Sequence, residues 1–466
     1  MVEYYQRFYK KQYRAKVKQL IVDLKRLLTL EVIPCIKDDE IVLNTTFKQN
    51  LKDNEWLELN KMYATLFKNK DLLSPTLLKF INKNSDTTKA NKFRLIDTFA
   101  GCGGLSLGLK RVGFQPVLIN EIEAKFLESY YFNHDISIEN YYCDDIKNLI
   151  DDEDIHKKYF KNIDLVVGGP PCQGFSMANR QRIIDDPRNE LYRYFLRTLK
   201  LVHPKFFVME NVKGMMNKAD EIKENFKAIL GSDYTFGITL LNAKDFGIPQ
   251  NRERVFFIGS RMEIDAQKII EDILREKKTA KKFKLKDAIA NLPALQPKRI
   301  KNTKGLENDE IGYKFRKVKM RPNSYSKFVN EGANYEYCFN HTNRYNNDRD
   351  IEIFARLPQG ANSLHPSIAD IMPYKSRNHV FKDKYFKLNE NEVSKTITSH
   401  MKFDCNMYIH PNQPRGLSPR EAARIQSFPD DFLFMSSNNN WYAQIGNAVP
   451  VKLAQIIGKH IIKHLS

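Results

Sequence analysis

Cys172 has the most unusual neighbours of the six cysteines in this 466-residue chain. An apolar run, Asp164-Leu165-Val166-Val167, leads into Gly168-Gly169-Pro170-Pro171-Cys172-Gln173-Gly174-Phe175-Ser176. The two prolines fix backbone torsions and forbid a helix there. A thiol after such a turn, at the carboxyl end of a strand, is presented to a ligand rather than packed away. Its natural chemistry is nucleophilic, because cysteine forms covalent intermediates more readily at neutral pH than any hydroxyl. Nearby positive charge or a helix N-terminus would raise the thiolate fraction. A second chemical signal precedes it. Asp97-Thr98-Phe99 ends an apolar run and is followed by Ala100-Gly101-Cys102-Gly103-Gly104. Glycines between a first strand and a helix let a ligand approach the backbone. Glu121, about 20 residues beyond the glycines, suits the two hydroxyls of a ribose. Asp145 ends a third short element and is placed to receive an adenine amino group. These residues point to a nucleoside cofactor without saying which one; a tight turn or a dinucleotide site stays open on the glycines alone.

Short apolar runs must carry these groups. They fall at Arg94–Phe99, Gln115–Asn120, Ile163–Gly168, Phe206–Glu210 and Val255–Gly259, with helical stretches between them. That alternation predicts an α/β domain with a mainly parallel sheet. Residues 1–90 read as a separate helical N-terminal extension, with apolar residues at helical spacing in Val17, Leu20, Ile21, Leu24 and Leu28 and a basic opposite face. A polar linker, Asn82–Asn91, follows. From residue 262 the rhythm is lost in polar, Lys-, Asn- and Tyr-rich sequence, and helical patterns return at Ser418–Gln426 and Lys452–His464. The chain carries a formal net charge of +19, which favours a polyanion partner. It has no apolar run of about 20 residues and no signal-peptide pattern, so a cytoplasmic protein without a membrane span is expected. No Cys/His spacing suits a metal, and none is expected.

Several further blocks stand in order after the cysteine: Met209-Glu210-Asn211-Val212, Gln250-Asn251-Arg252-Glu253-Arg254, Leu417 to Pro429, and Gly446-Asn447-Ala448-Val449-Pro450. With Pro-Pro-Cys-Gln-Gly-Phe-Ser and the glycine loop, they resemble the motifs of the cytosine-carbon-5 DNA methyltransferases, over residues 94–261 and 393–466. The resemblance implies a Rossmann-like S-adenosylmethionine-dependent methyltransferase domain at 94–261, completed by about 430–466. A smaller, irregular, mostly β target-recognition domain would occupy 262–429. It implies that Cys172 adds to carbon 6 of cytosine, that protonated Glu210 donates to ring nitrogen 3, that Arg252 contacts the cytosine carbonyl and that Arg254 orders the site. It implies S-adenosylmethionine held by Asp97, Phe99, Gly101, Gly103, Gly104, Glu121, Asp145, Pro170 and Asn447. The family often has an aromatic residue after the second-strand acid, where this chain has Ile122.

The resemblance also implies double-stranded DNA as substrate, with the target base flipped out of the helix. Gln173, Ser176, Asn179, Arg180 and Arg182 lie in the family's mobile loop and are candidate DNA contacts. His341 to Arg344 and Lys375 to Arg377 are candidate contacts in the recognition region. A restriction-modification role beside a cognate endonuclease and a monomeric state are the expected context. Three rivals differ in testable ways. An RNA enzyme of the same catalytic type would carry a shorter recognition region. An inactive DNA binder would lack the intact Cys172, Glu210 and Arg252. A nicotinamide oxidoreductase would have no use for Pro-Cys-Gln.

Overall fold

The computed structural model describes residues 35–37, 40–42, 93–134, 136, 138–171, 191–301, 312–318, 320–333, 335, 337–373 and 383–465. The chain divides into two compact units, residues 1–89 with 135–139, and residues 90–134 with 140–466. In the first, Cys35–Lys37 and Glu40–Val42 form an antiparallel hairpin with Ile36 opposite Ile41. The helical patterns expected in residues 1–90 lie outside the described residues.

The second unit is built on a seven-stranded sheet. In chain order it runs β1 (Phe93–Thr98), α1 (Gly104–Lys110), β2 (Phe114–Asn120), α2 (Ala124–Asn133), β3 (Tyr141–Tyr142), α3 (Ile146–Asp151), α4 (Glu153–Tyr159), β4 (Leu165–Gly168), α5 (Leu191–Val202), β5 (Phe206–Val212), α6 (Ala219–Leu230), β6 (Thr235–Asn242), β7 (Glu253–Ser260) and α7 (Ala266–Arg275). The spatial order is β3-β2-β1-β4-β5-β7-β6, and β7 alone runs antiparallel to its neighbours. The near-continuous apolar runs noted in the sequence are explained by burial on both faces. Leu95, Val167, Val208 and Phe256 point to a layer formed by α1, α7 and the C-terminal helix. Their neighbours Ile96, Val166, Phe207 and Phe257 point the other way, to α3, α5 and α6. The period of two along each strand therefore produces a three-layer sandwich.

After α7 come α8 (Leu285–Ile289), α9 (Ser324–Val329), α10 (Asp348–Arg356), α11 (Pro419–Ile425), α12 (Asn438–Asn447) and α13 (Val451–Ile462). Two expectations need correction here. First, Ile269, Ile270 and Ile273 of α7 sit in the same apolar cluster as Val208 and Ile258. Residues from 262 to the end of α7 thus belong to the sheet's covering layer, not to a separate region. Second, the described part of 276–429 is not mostly β. Its strands are the six-residue pair Gly312–Lys317 and Tyr337–Thr342 and the two-residue Ser394–Lys395, against four helices. A second core, with Leu285, Tyr325, Ile397, Phe428 and Trp441, holds this region together. No helix of the described residues is long and apolar enough to cross a membrane.

The C-terminal helix returns to the first one through glycine contacts. A Cβ added at Gly108 of α1 would lie 2.3 Å from the Val451 carbonyl oxygen, and one at Gly458 of α13 would lie 2.7 Å from Leu109 Cδ2. Only glycine lets two helices approach this closely.

Candidate active site

Two clusters of named residues gather at the carboxyl ends of the parallel strands, where open α/β sheets bind ligands. The first surrounds the loop after β1. Phe99, Gly101 and Gly103 all take left-handed backbone torsions, with φ of 53°, 56° and 87°. For Phe99 that is a strained conformation of the kind that clusters at ligand sites. Gly103 is required on a second ground, because a Cβ there would meet His134 Nε2 at 2.6 Å and Tyr130 at 2.7 Å. A Cβ at Gly101 would meet nothing within 4 Å among the described residues. Glu121 ties the loop to the end of β2. Its Oε2 accepts from the Gly101 amide at 2.8 Å and its Oε1 from the Glu123 amide at 2.9 Å. Burial pushes the Glu121 carboxyl pKa up, and these amide bonds oppose the shift.

Beside Glu121, Ile122 is 63% exposed, an apolar surface at the mouth of the loop. Asp145 is half-buried and caps α3 by accepting from the Lys147 amide at 3.0 Å. Asp97 departs from the expectation of a cofactor contact. It is only 1% exposed and accepts hydrogen bonds from Ser106 Oγ and from Tyr130 Oη, the latter at 3.3 Å. Burial pushes its pKa up to about 7, with the two hydroxyls opposing. Asp97 supports the loop from beneath it. Asn447, more than 340 residues away in sequence, arrives at the same loop: a Cβ on Gly104 would lie 2.9 Å from the Val449 carbonyl oxygen and 3.1 Å from Ala448 Cβ.

The second cluster surrounds Glu210 near the end of β5. Arg254 Nε lies 3.0 Å from Glu210 Oε1, and both side chains are largely buried. The pairing follows from register, since Arg254 sits opposite Val212 and Phe256 opposite Glu210 on the antiparallel neighbour. Burial lowers the Arg254 pKa, and the Glu210 charge opposes that shift. The other carboxylate oxygen faces the turn after β4, where a Cβ on Gly169 would meet Oε2 at 3.2 Å. Asn211 Nδ2 donates to the Pro170 carbonyl at 2.9 Å and fixes the turn that leads to the cysteine. Pro170 is buried and Pro171 exposed. Cys172, Gln173, Ser176, Asn179, Arg180 and Arg182 lie outside the described residues.

Comparison with known proteins is decisive for the family. Residues 93–463 match the C-5 cytosine-specific DNA methylase family. This chain belongs to that family. It is similar to the type II methyltransferase M.DdeI of Desulfomicrobium norvegicum, 33% identical over 386 residues, covering 79% of this chain and 88% of the relative. It is equally similar to the type II methyltransferase M1.HphI of Haemophilus parahaemolyticus, 33% identical over 378 residues, with 79% and 86% covered. Among solved structures it is similar to a candidate DNA modification methyltransferase encoded within an E. coli prophage. That match has a TM-score of 0.63 at 28% identity and covers 80% of this chain and 99% of the other. The protein is therefore a DNA cytosine methyltransferase with the α/β fold of such enzymes.

Within this methyltransferase the two arginines face different partners. Arg252 is 1% exposed and donates to three backbone carbonyls: Nη1 to Ile397 at 2.7 Å, and Nη2 to Gly446 at 3.1 Å and to Ala448 at 3.0 Å. Both donors of Nη2 and one of Nη1 are thus turned to backbone carbonyls in a side chain that is almost wholly buried. Arg254 is the arginine beside Glu210. The candidate DNA contact His341 is also corrected: it is buried, with ring nitrogens 2.8 Å from Ser418 Oγ and 2.7 Å from the Pro293 carbonyl oxygen. Arg344 is committed to the Met401 and Lys402 carbonyls. Lys375 and Arg377 lie outside the described residues.

Sequence reasoning assigned no role to Gln250 or Gln426, although both stand inside the recognised blocks. Gln250 Nε2 donates to Gln426 Oε1 at 2.8 Å, and Gln250 Oε1 accepts from the Ile397 amide at 2.7 Å. The available signal was the placement of uncharged amides in otherwise charged motifs. The partners of Gln250 lie about 150 and 175 residues away, which no local pattern reveals.

Proposed function

We propose that the protein transfers a methyl group from S-adenosylmethionine to carbon 5 of a flipped-out cytosine in duplex DNA through a covalent Cys172 adduct. The observation that carries this reading is the Glu210–Arg254 pair, set at 3.0 Å against the turn that leads directly into Cys172. When bound, S-adenosylmethionine supplies an electrophilic methyl on a sulfonium. The residues around the glycine loop suit its polar and apolar parts. Glu121 would hold the ribose hydroxyls, Phe99 and exposed Ile122 would flank the adenine, and Asp145 would accept its amino group. Gly101, Gly103 and Gly104 would let the ligand lie against backbone, with Asn447 opposite and Pro170 bordering the target side.

Cytosine carbon 5 is a weak nucleophile. The Cys172 thiolate bonds to carbon 6, and the displaced ring electron pair makes carbon 5 reactive. Glu210 faces ring nitrogen 3 and supplies the proton that the negative ring needs, while Arg254 holds the carboxyl in place and approaches the ring carbonyl. Carbon 5 takes the methyl as the methyl–sulfonium bond breaks and the neutral thioether leaves; the carbon 5 proton then goes to a base or water, Glu210 takes its proton back from ring nitrogen 3, and the Cys172 sulfur departs as the ring double bond reforms. The target base must leave the stack at a cost of about a few kcal/mol. Gln173, Ser176, Asn179, Arg180 and Arg182 contact DNA as that happens, and the region after α7 reads the sequence. The protein works as a monomer and as the modification partner of a restriction endonuclease. Duplex DNA carrying 5-fluorocytosine tests the reading, because the fluorine cannot leave as a proton does. We expect a denaturant-resistant protein–DNA adduct for the wild type and none for Cys172→Ser. An adduct that survives in C172S would refute Cys172 as nucleophile.

A further inference from the structure

The short segment Gln250-Asn251-Arg252 lies between β6 and β7, yet the side chains of Gln250 and Arg252 reach the far end of the chain. Arg252 Nη2 alone donates to the carbonyls of Gly446 and Ala448, the residues on either side of Asn447. Gln426 Nε2 grips the same turn, donating to Ile445 at 2.8 Å and Ala448 at 3.3 Å. Gln250 in turn holds Gln426. On the opposite side the turn is pressed against the chain, since a Cβ on Gly446 would lie 2.1 Å from both Ser399 N and Thr398 C. Its remaining side meets Gly104 of the glycine loop, as described above. The backbone at Asn447 is thus fixed from three directions while the Asn447 side chain stays exposed.

We propose that Arg252, with Gln426 as its second anchor, is a positioning residue for the cofactor side of the site, holding the Asn447 turn against the glycine loop. The assignment rests on the S-adenosylmethionine reading above. The chemistry favours arginine over other cations. Burying a guanidinium is costly unless its donors are matched; here the two Nη groups span carbonyls from two separate segments, Ile397 and Gly446–Ala448, while the buried Nε has no partner among the described residues. Lysine's three donors share one nitrogen, so it lacks the planar fork that reaches both segments at once. Two residues on, Arg254 serves Glu210, so one motif secures both halves of the site: the cofactor turn through its first arginine and the target-base acid through its second.

The test uses the full chain, with S-adenosylhomocysteine binding read by calorimetry and amide hydrogen exchange read at residues 445–449. Loss of a buried donor leaves carbonyls unpaired, so Arg252→Gln is expected to weaken S-adenosylhomocysteine binding by about tenfold or more. Exchange at 445–449 should accelerate, KM for S-adenosylmethionine should rise, and KM for duplex DNA should stay as in the wild type. Arg252→Lys should recover part of the affinity. Asn447→Ala added to Arg252→Gln should cost little more, because the two act through one turn. Unchanged cofactor affinity with a raised KM for DNA would overturn the proposal and return Arg252 to the base. If Arg252→Gln does not fold, Gln426→Met must show the same cofactor-side shift, and its absence there overturns the proposal equally. A wild type that fails to bind S-adenosylhomocysteine refutes the cofactor reading itself; the exchange rates at 445–449 then decide the clamp alone.

Discussion

Glu210 and Arg254 are the pair on which the proposed chemistry turns, and their separation from Arg252 gives the residues distinct failures. Arg254→Gln removes the cation that holds Glu210 and is expected to reduce kcat by about two to four orders of magnitude, the usual reach of a positioned acid. Binding of S-adenosylmethionine should be retained, because the loop around Glu121 is untouched. Steady-state kinetics beside calorimetry reads both; a full-rate Arg254→Gln enzyme would contradict the assignment. At this scale the sequence was informative about residue types and less so about partners. Glu210 and the paired arginines stood out through the resemblance of their blocks to the family's motifs, since an acid after a strand is by itself ordinarily a surface or capping group. Which arginine faces the acid was not legible, because it depends on the antiparallel register of β7 against β5 and on carbonyls contributed from residues 397, 446 and 448.

Among the elements, five of the seven main-sheet strands are readable as apolar runs; the two-residue β3 and β6 are not. Thr235-Phe236-Gly237-Ile238-Thr239-Leu240 carries a glycine inside the strand, which weakens the pattern. The structure supplies the reason: a Cβ at Gly237 would lie 2.5 Å from Ile270 Cδ1 of α7. The boundary at residue 262 was misplaced for a related reason. α7 follows a polar turn and stands at the head of a polar, Lys-rich stretch, so its apolar stripe of Ile269, Ile270 and Ile273 was not read as a helix packed on this sheet. The same close-packing logic predicts the cost at the Asn447 turn. Gly446→Ala places a methyl against backbone that cannot swing aside. It is expected to lower stability by about 1–3 kcal/mol or more, seen as a lower urea midpoint at an unchanged slope. A midpoint equal to the wild type would mean that the turn is looser than described.

For the whole molecule, α11 is tied to the chain that precedes it by buried charge. Arg415 pairs with Glu421 through two bonds of 2.8 and 2.6 Å, His410 Nε2 lies 3.5 Å from Glu421 Oε1, and His341 and Lys387 stand near. Burial lowers the His410 pKa from its ordinary 6.5 to about 4, with Arg415 acting the same way and Glu421 opposing. The unfolded chain therefore takes up a proton below pH 6.5 while the folded protein does not until about pH 4. Stability from neutral His410 is present above pH 6.5 and is lost as pH falls through that window. Asp97, with its pKa raised to about 7, acts in the opposite sense, so the comparison must be made against a variant. We expect the difference in melting temperature between wild type and His410→Asn to shrink from pH 7 to pH 4. A difference independent of pH would contradict the linkage. The central claim is tested most directly by incubating unmethylated duplex DNA with the full chain and tritiated S-adenosylmethionine, then mapping the label to single bases. The account predicts 5-methylcytosine within one short duplex sequence; label on another base, or transfer to RNA and none to any duplex, would contradict it.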